Sequence, residues 1–114
     1  METISLNFKG KNISLKAREC RGVMKAIGLM FSGENADARI FRFSKPTKTP
    51  IHSYFCPEFI AIWLRDSKVV DFKIVNSKKL SISPKQKFDT LLEIPLNKKY
   101  KDTIAKLNIV DRKV

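Results

Sequence analysis

From Phe59 to Leu64 the chain carries six apolar side chains in succession, Phe59-Ile60-Ala61-Ile62-Trp63-Leu64. The run is far shorter than the roughly 20 residues a membrane-spanning helix needs. Its β-branched and aromatic content fits a strand covered on both faces. Ile60, Ile62 and Leu64 share one face, and Phe59, Ala61, Trp63 and Arg65 share the other. A strand of this kind demands neighbouring strands and cover above and below.

The flanking segments supply candidates. Ile4, Leu6 and Phe8 alternate with polar residues, and after the turn cluster Lys9-Gly10-Lys11-Asn12 the alternation resumes at Ile13, Leu15 and Ala17. This predicts an opening hairpin. The period then changes: Cys20, Val23, Met24, Ile27 and Phe31 fall on one helical stripe. Gly28 ends that helix, and Leu29, Met30 and Phe31 form a buried exit. Ala38–Ser44 is the next strand, with Pro46 marking a connection. Residues 51–55 are extended, and Leu80 with Ile82 forms a short edge strand. Phe88 to Leu96 alternates again, Asn97 caps a short helix bearing Tyr100, Ile104 and Leu107, and Ile109 with Val110 adds a last strand.

The hairpin after Arg65 can be registered from burial. A two-residue loop at Asp66-Ser67 sets Ile62 against Asp71. A three-residue loop at Asp66-Ser67-Lys68 sets Ile62 against Phe72 and Leu64 against Val70, which keeps apolar against apolar. Six to eight short strands with frequent turns predict a mainly β fold, a small barrel or rolled antiparallel-rich sheet with one or two short helices; an α+β layout is the alternative.

A length of 114 residues fits a single domain spanning 1–114, and 43% hydrophobic with 30% charged residues is a globular composition. The N-terminal residues read as an alternating strand and not as a signal peptide, and two cysteines are too few for a disulfide framework, so the expected setting is the reducing cytoplasm without a membrane partner. The net charge of +12 favours an anionic partner, nucleic acid first. Lysines spread from Lys9 to Lys113 equally fit a solvated surface, since charge confers affinity without specificity.

The segment Ala26-Ile27-Gly28-Leu29-Met30-Phe31 carries a Gly-Leu-Met motif after a helical stretch. Arg39-Ile40-Phe41-Arg42-Phe43, Ile51-His52-Ser53-Tyr54-Phe55, Ile60 to Asp66 and Leu92-Glu93-Ile94-Pro95 follow in order. In this order and spacing, over about residues 13 to 110, the chain resembles the conserved family catalogued as domain of unknown function 192. The resemblance implies a small mainly-β fold and no reaction. It also implies a departure: that family usually has Pro-Leu-Asp where this chain has Phe59-Ile60-Ala61, so the acid is missing at Ala61.

No Gly-rich phosphate loop, Gly-x-Ser-x-Gly elbow or Walker pattern is present. His52 is the sole histidine, which excludes a histidine-pair metal site, and Cys20 and Cys56 lack zinc spacing. No cofactor and no metal is expected. Glu93 sits in an apolar strand, either outward beside a lysine or buried with a raised pKa. Arg39 and Phe41 share with Trp63 and Arg65 a mixture of basic and aromatic side chains. That mixture is either core under cover on both faces or a groove for flat ligands such as bases. Three functions follow. The first is a non-enzymatic binding or interaction module, with a protein partner or a second copy as ligand. The second is an RNA- or DNA-binding protein. The third is an enzyme with a cleft at His52, Tyr54 and Glu58.

Overall fold

In the computed structural model, which describes residues 1–22, 24–79 and 81–108, six strands form one curled sheet. They are β1 (Glu2–Phe8), β2 (Lys11–Glu19), β3 (Ala38–Thr47), β4 (Phe59–Arg65), β5 (Lys68–Val75) and β6 (Phe88–Pro95), ordered β1-β2-β3-β6-β4-β5. A four-residue helix α1 (Met24–Ile27) lies in the β2–β3 connection, and α2 (Lys101–Leu107) follows β6 through a 3-10 turn. The fold is a mainly β, rolled half-barrel, as the alternation of the chain predicts.

The curl brings β1 near β5, the two sheet edges, without pairing them. Phe8 and Phe72 meet edge-to-face there, ring centroids 4.9 Å apart. The inner face buries Leu6, Ile13, Leu15, Ile60, Ile62, Leu92 and Ile94, with Tyr100 and Leu107 from the C-terminal helical segment covering one end. Asn97 caps that segment, its side chain accepting from Lys99 N at 3.0 Å. The outer face of the central strands carries a second cluster containing Phe41, Phe59, Trp63, Phe88 and Leu91. β4 is therefore buried on both faces, and only Arg65 emerges.

β2 and β3 pair in parallel, Ala17 opposite Ala38. Their connection must cross over the sheet, and it covers the outer face. Tyr100 fixes the parallel junction: its hydroxyl accepts from Ala38 N at 2.7 Å and donates to Lys16 O at 2.9 Å. The 48–58 and 76–87 segments cover the rest of that face. Ile51 and Ile82 bridge them, and buried Ser53 ties them together, its Oγ donating to Asn76 O at 2.6 Å and accepting from Lys79 N at 2.8 Å.

Five local expectations are corrected. The β4–β5 turn has two residues, Asp66 and Ser67, with φ of +51° and +66°, the left-handed pair of a I′ turn. Ile62 still faces Phe72, because a bulge after Trp63 pairs Leu64 with Val69 and turns Val70 toward the outer cluster. The helical stripe is shorter than its period suggests: Cys20 is buried at the end of β2, its N–H extending the ladder to Ile40 O at 2.9 Å. Gly28, with φ +51°, ends α1 as expected and Leu29 is buried beyond it, but Phe31 departs from the expected buried exit and is 75% exposed. β3 runs through Pro46, where the pairing shifts register and no donor is missed. In the 51–55 segment only Ile51 pairs as a strand would, and Phe55 has φ +61°. Leu80, Ile109 and Val110 lie outside the described residues.

Candidate functional site

A cavity of about 310 Å³ lies between the outer face of the sheet and its covering segments. β3 and β6 form the floor through Phe41, Phe43, Phe88, Leu91 and Glu93; Ile27, Gly28 and Leu29 close one side, and Pro50, Ile51, His52 and Cys56 the other. The size suits a small organic molecule. The walls are mostly apolar, with Lys25 at the margin, its Nζ 4.7 Å from the centroid of the Phe43 ring.

Glu93 gives the cavity its polar point. It pairs with Ala61 of β4 on one side and Arg39 of β3 on the other. It is 5% exposed, and burial pushes its carboxyl up to about 8, with the Arg39 guanidinium pulling the other way. Of the two readings open for this residue, the structure shows the buried acid. Gly28 lies directly over it: a Cβ on Gly28 would meet Phe41 Cζ at 3.1 Å and Glu93 Oε1 at 3.3 Å. Only the missing side chain and the left-handed φ let the crossover come this close.

The residues singled out in the sequence divide. Phe41 and His52 line the cavity. Arg39 lies on β3 outside the cavity lining, Nη1 donating to Asp37 O at 2.8 Å, with a buried Nε unpartnered among the described residues. Trp63 is 0% exposed, packed in the outer cluster with Lys73 Nζ 5.8 Å above its ring, and cannot stack on anything in solvent. Arg65 is exposed at the end of β4. Tyr54 and Glu58 lie outside the cavity walls; the Tyr54 ring stands 6.2 Å from that of Phe55, and the Glu58 carbonyl accepts from Leu96 N at 3.0 Å. His52 and Cys56 do share the wall, but burial raises the Cys56 thiol to about 11, so it stays protonated and weakly nucleophilic at neutral pH.

Exposed aromatics occur at two left-handed turns outside the cavity. Phe31 and Phe55 are 75% and 64% exposed, stack with ring centroids 5.1 Å apart, and each has φ +61°. Phe31 N donates to Phe55 O at 2.7 Å, holding the two turns together. A left-handed phenylalanine is a strained conformation. Gly28 stood out in the sequence as a helix end and in the Gly-Leu-Met motif, and Lys25 did not stand out; their place over Glu93 and Phe43 depends on the crossover.

No protein-family model matches the chain, and no curated protein does. Solved structures do. A protein of unknown function from Novosphingobium aromaticivorans superposes with a TM-score of 0.75 at 16% identity, over 95% of this chain and 79% of that one. A protein described as a "putative transcription regulator" from Sinorhizobium meliloti superposes with a TM-score of 0.70 at 14% identity, over 87% of this chain and 81% of that one. At such identities the likeness is one of fold alone. The fold is thus shared by bacterial proteins of differing description. Among the described residues, no helix is long and apolar enough to cross a membrane.

Proposed function

We infer that the chain is a non-enzymatic binding module of the family its sequence resembles, and that the cavity over Glu93 takes a small, largely apolar ligand. The observation that carries this reading is a buried carboxyl at the floor of a mostly apolar cavity, with Lys25, Thr49 and His52 as its other polar lining residues. An apolar pocket with a few placed polar groups is the usual form of a small-ligand site. The absence of chemistry is supported by the row Arg39–Glu93–Ala61. In the resembled family the missing acid would stand at position 61, opposite Glu93. This chain keeps one carboxyl there, too few for an acid–base pair of carboxylates. Protein-observed NMR with a library of small aromatic and aliphatic fragments tests the assignment. Shifts confined to Phe41, His52, Leu91 and Glu93 support it; binding fragments that leave these resonances unmoved overturn it.

Nucleic-acid binding is the second reading. It is favoured by the stacked, exposed Phe31 and Phe55 on a chain of net charge +12, and by the description of the Sinorhizobium meliloti protein. Bases stack on exposed rings whatever their sequence. A single-stranded oligonucleotide should then bind with affinity that falls steeply with salt and is lost in a Phe31→Ala, Phe55→Ala variant. Affinity indifferent to both would exclude it.

A further inference from the structure

The groups that face the cavity restrict the charge of its ligand. Among the described residues, Glu93 is the single acid in the lining, 5% exposed beneath Gly28. Lys25 is exposed at the margin with its ammonium against the Phe43 ring, and His52 is half-buried in the opposite wall. The geometry points to an apolar monocarboxylate as the ligand, its hydrocarbon body against Phe41, Phe88 and Leu91 and its carboxylate at the mouth beside Lys25. The inference rests on the pocket reading above and adds the ligand's charge.

Three considerations support it. First, the chain has net charge +12, which draws anions toward the mouth and repels cations. Second, the aromatic rim that could face a ligand ammonium already faces one, that of Lys25. Third, the acid at the floor is compatible with an anion only in its neutral form, since two negative charges in one small apolar cavity repel strongly. Burial keeps Glu93 in that form below about pH 8. The charged or titratable groups around Glu93 are Arg39 on β3, Cys20 at the end of β2, Lys25 on α1, and His52 and Cys56 in the covering segment; Ala61 on β4 brings none. Both thiols are shifted up and remain neutral near pH 8. Deprotonation of Glu93 is therefore the event that closes the cavity to an anion.

Calorimetric titration of the whole chain with 4-phenylbutyrate, 4-phenylbutanol and 4-phenylbutylamine tests the inference. The acid should bind tightest at pH 6.5 and lose about tenfold by pH 9, as the fraction of protonated Glu93 falls. The alcohol should bind equally at both. Lys25→Gln should weaken the acid and spare the alcohol, and Glu93→Gln should flatten the acid's pH profile. Tighter binding of the amine, an acid affinity equal at pH 6.5 and 9, or indifference to Lys25→Gln overturns the anion inference while the pocket reading stands. Failure of all three compounds to bind overturns both. If Glu93→Gln does not fold, the wild-type profile and Lys25→Gln decide.

Discussion

Gly28 stands over Glu93 so closely that a methyl group on the glycine would lie 3.3 Å from the carboxyl oxygen and 3.1 Å from the Phe41 ring. Gly28→Ala adds this crowding to the strain of a side chain at φ +51°. A loss of about 1–3 kcal/mol is expected in urea unfolding, with the m-value unchanged. A variant as stable as the wild type would mean that the crossover is free to lift away.

The Glu93 carboxyl, raised to about 8, gives stability a definite slope. Between about pH 4.5, its ordinary value, and pH 8 the native state keeps a proton that the unfolded chain releases. The unfolded state then binds fewer protons, and stability falls as pH rises, by on the order of 4 kcal/mol across the window. Glu93→Gln should match the wild type near pH 5 and exceed it at pH 8. Hydrogen bonds from Arg42, Arg21 and Lys99 hold Glu2, Glu19 and Asp37 below their ordinary values. Their stabilisation is present above those values and is lost in more acidic solution, so it does not mask the slope. Urea midpoints at pH 5, 6.5 and 8 for both proteins decide.

Tyr100→Phe removes the hydroxyl that joins Ala38 N to Lys16 O. Both strands of the parallel junction then hold an unpaired backbone group, at a cost of about 1–3 kcal/mol. Amide exchange should speed at Ala38 before it does in the β1–β2 hairpin; uniform acceleration would show that the bridge is not local.

Trp63 reports on the outer cluster. Its emission should be blue-shifted and resist iodide quenching, because the ring is fully buried. Trp63→Ala should cost about 3–5 kcal/mol, the range for emptying an aromatic core site. Ready quenching in the native protein would contradict the burial.

The strands were legible where apolar periodicity is local. β4 starts at Phe59 and ends at Arg65 as the run predicts, and the β1–β2 hairpin turns at Lys9 and Gly10. The Val70 bulge was not legible, since it leaves the apolar count unchanged and only rotates one side chain. α1 was overestimated because Cys20 and Phe31 keep helical spacing by coincidence, one directly following β2 and the other lying in a left-handed turn. The candidate site was half visible. Phe41, His52 and Glu93 stood out as residue types, but their convergence depends on long-range register and on a crossover that places Gly28. Trp63 and Phe41 were open to a solvent-groove reading because alternation alone does not reveal what covers a sheet.

The parallel pairing of β2 with β3 has a kinetic consequence. The roof of the cavity belongs to the crossover between those strands, whereas Glu93 arrives on β6, more than 60 residues later in the chain. Closing loops of that length is slow compared with forming a local hairpin. A nascent or partly folded chain can thus hold its hairpins without having a cavity. A ligand of the proposed site would therefore report completion of the sheet, acting on the last steps of folding and not on the first.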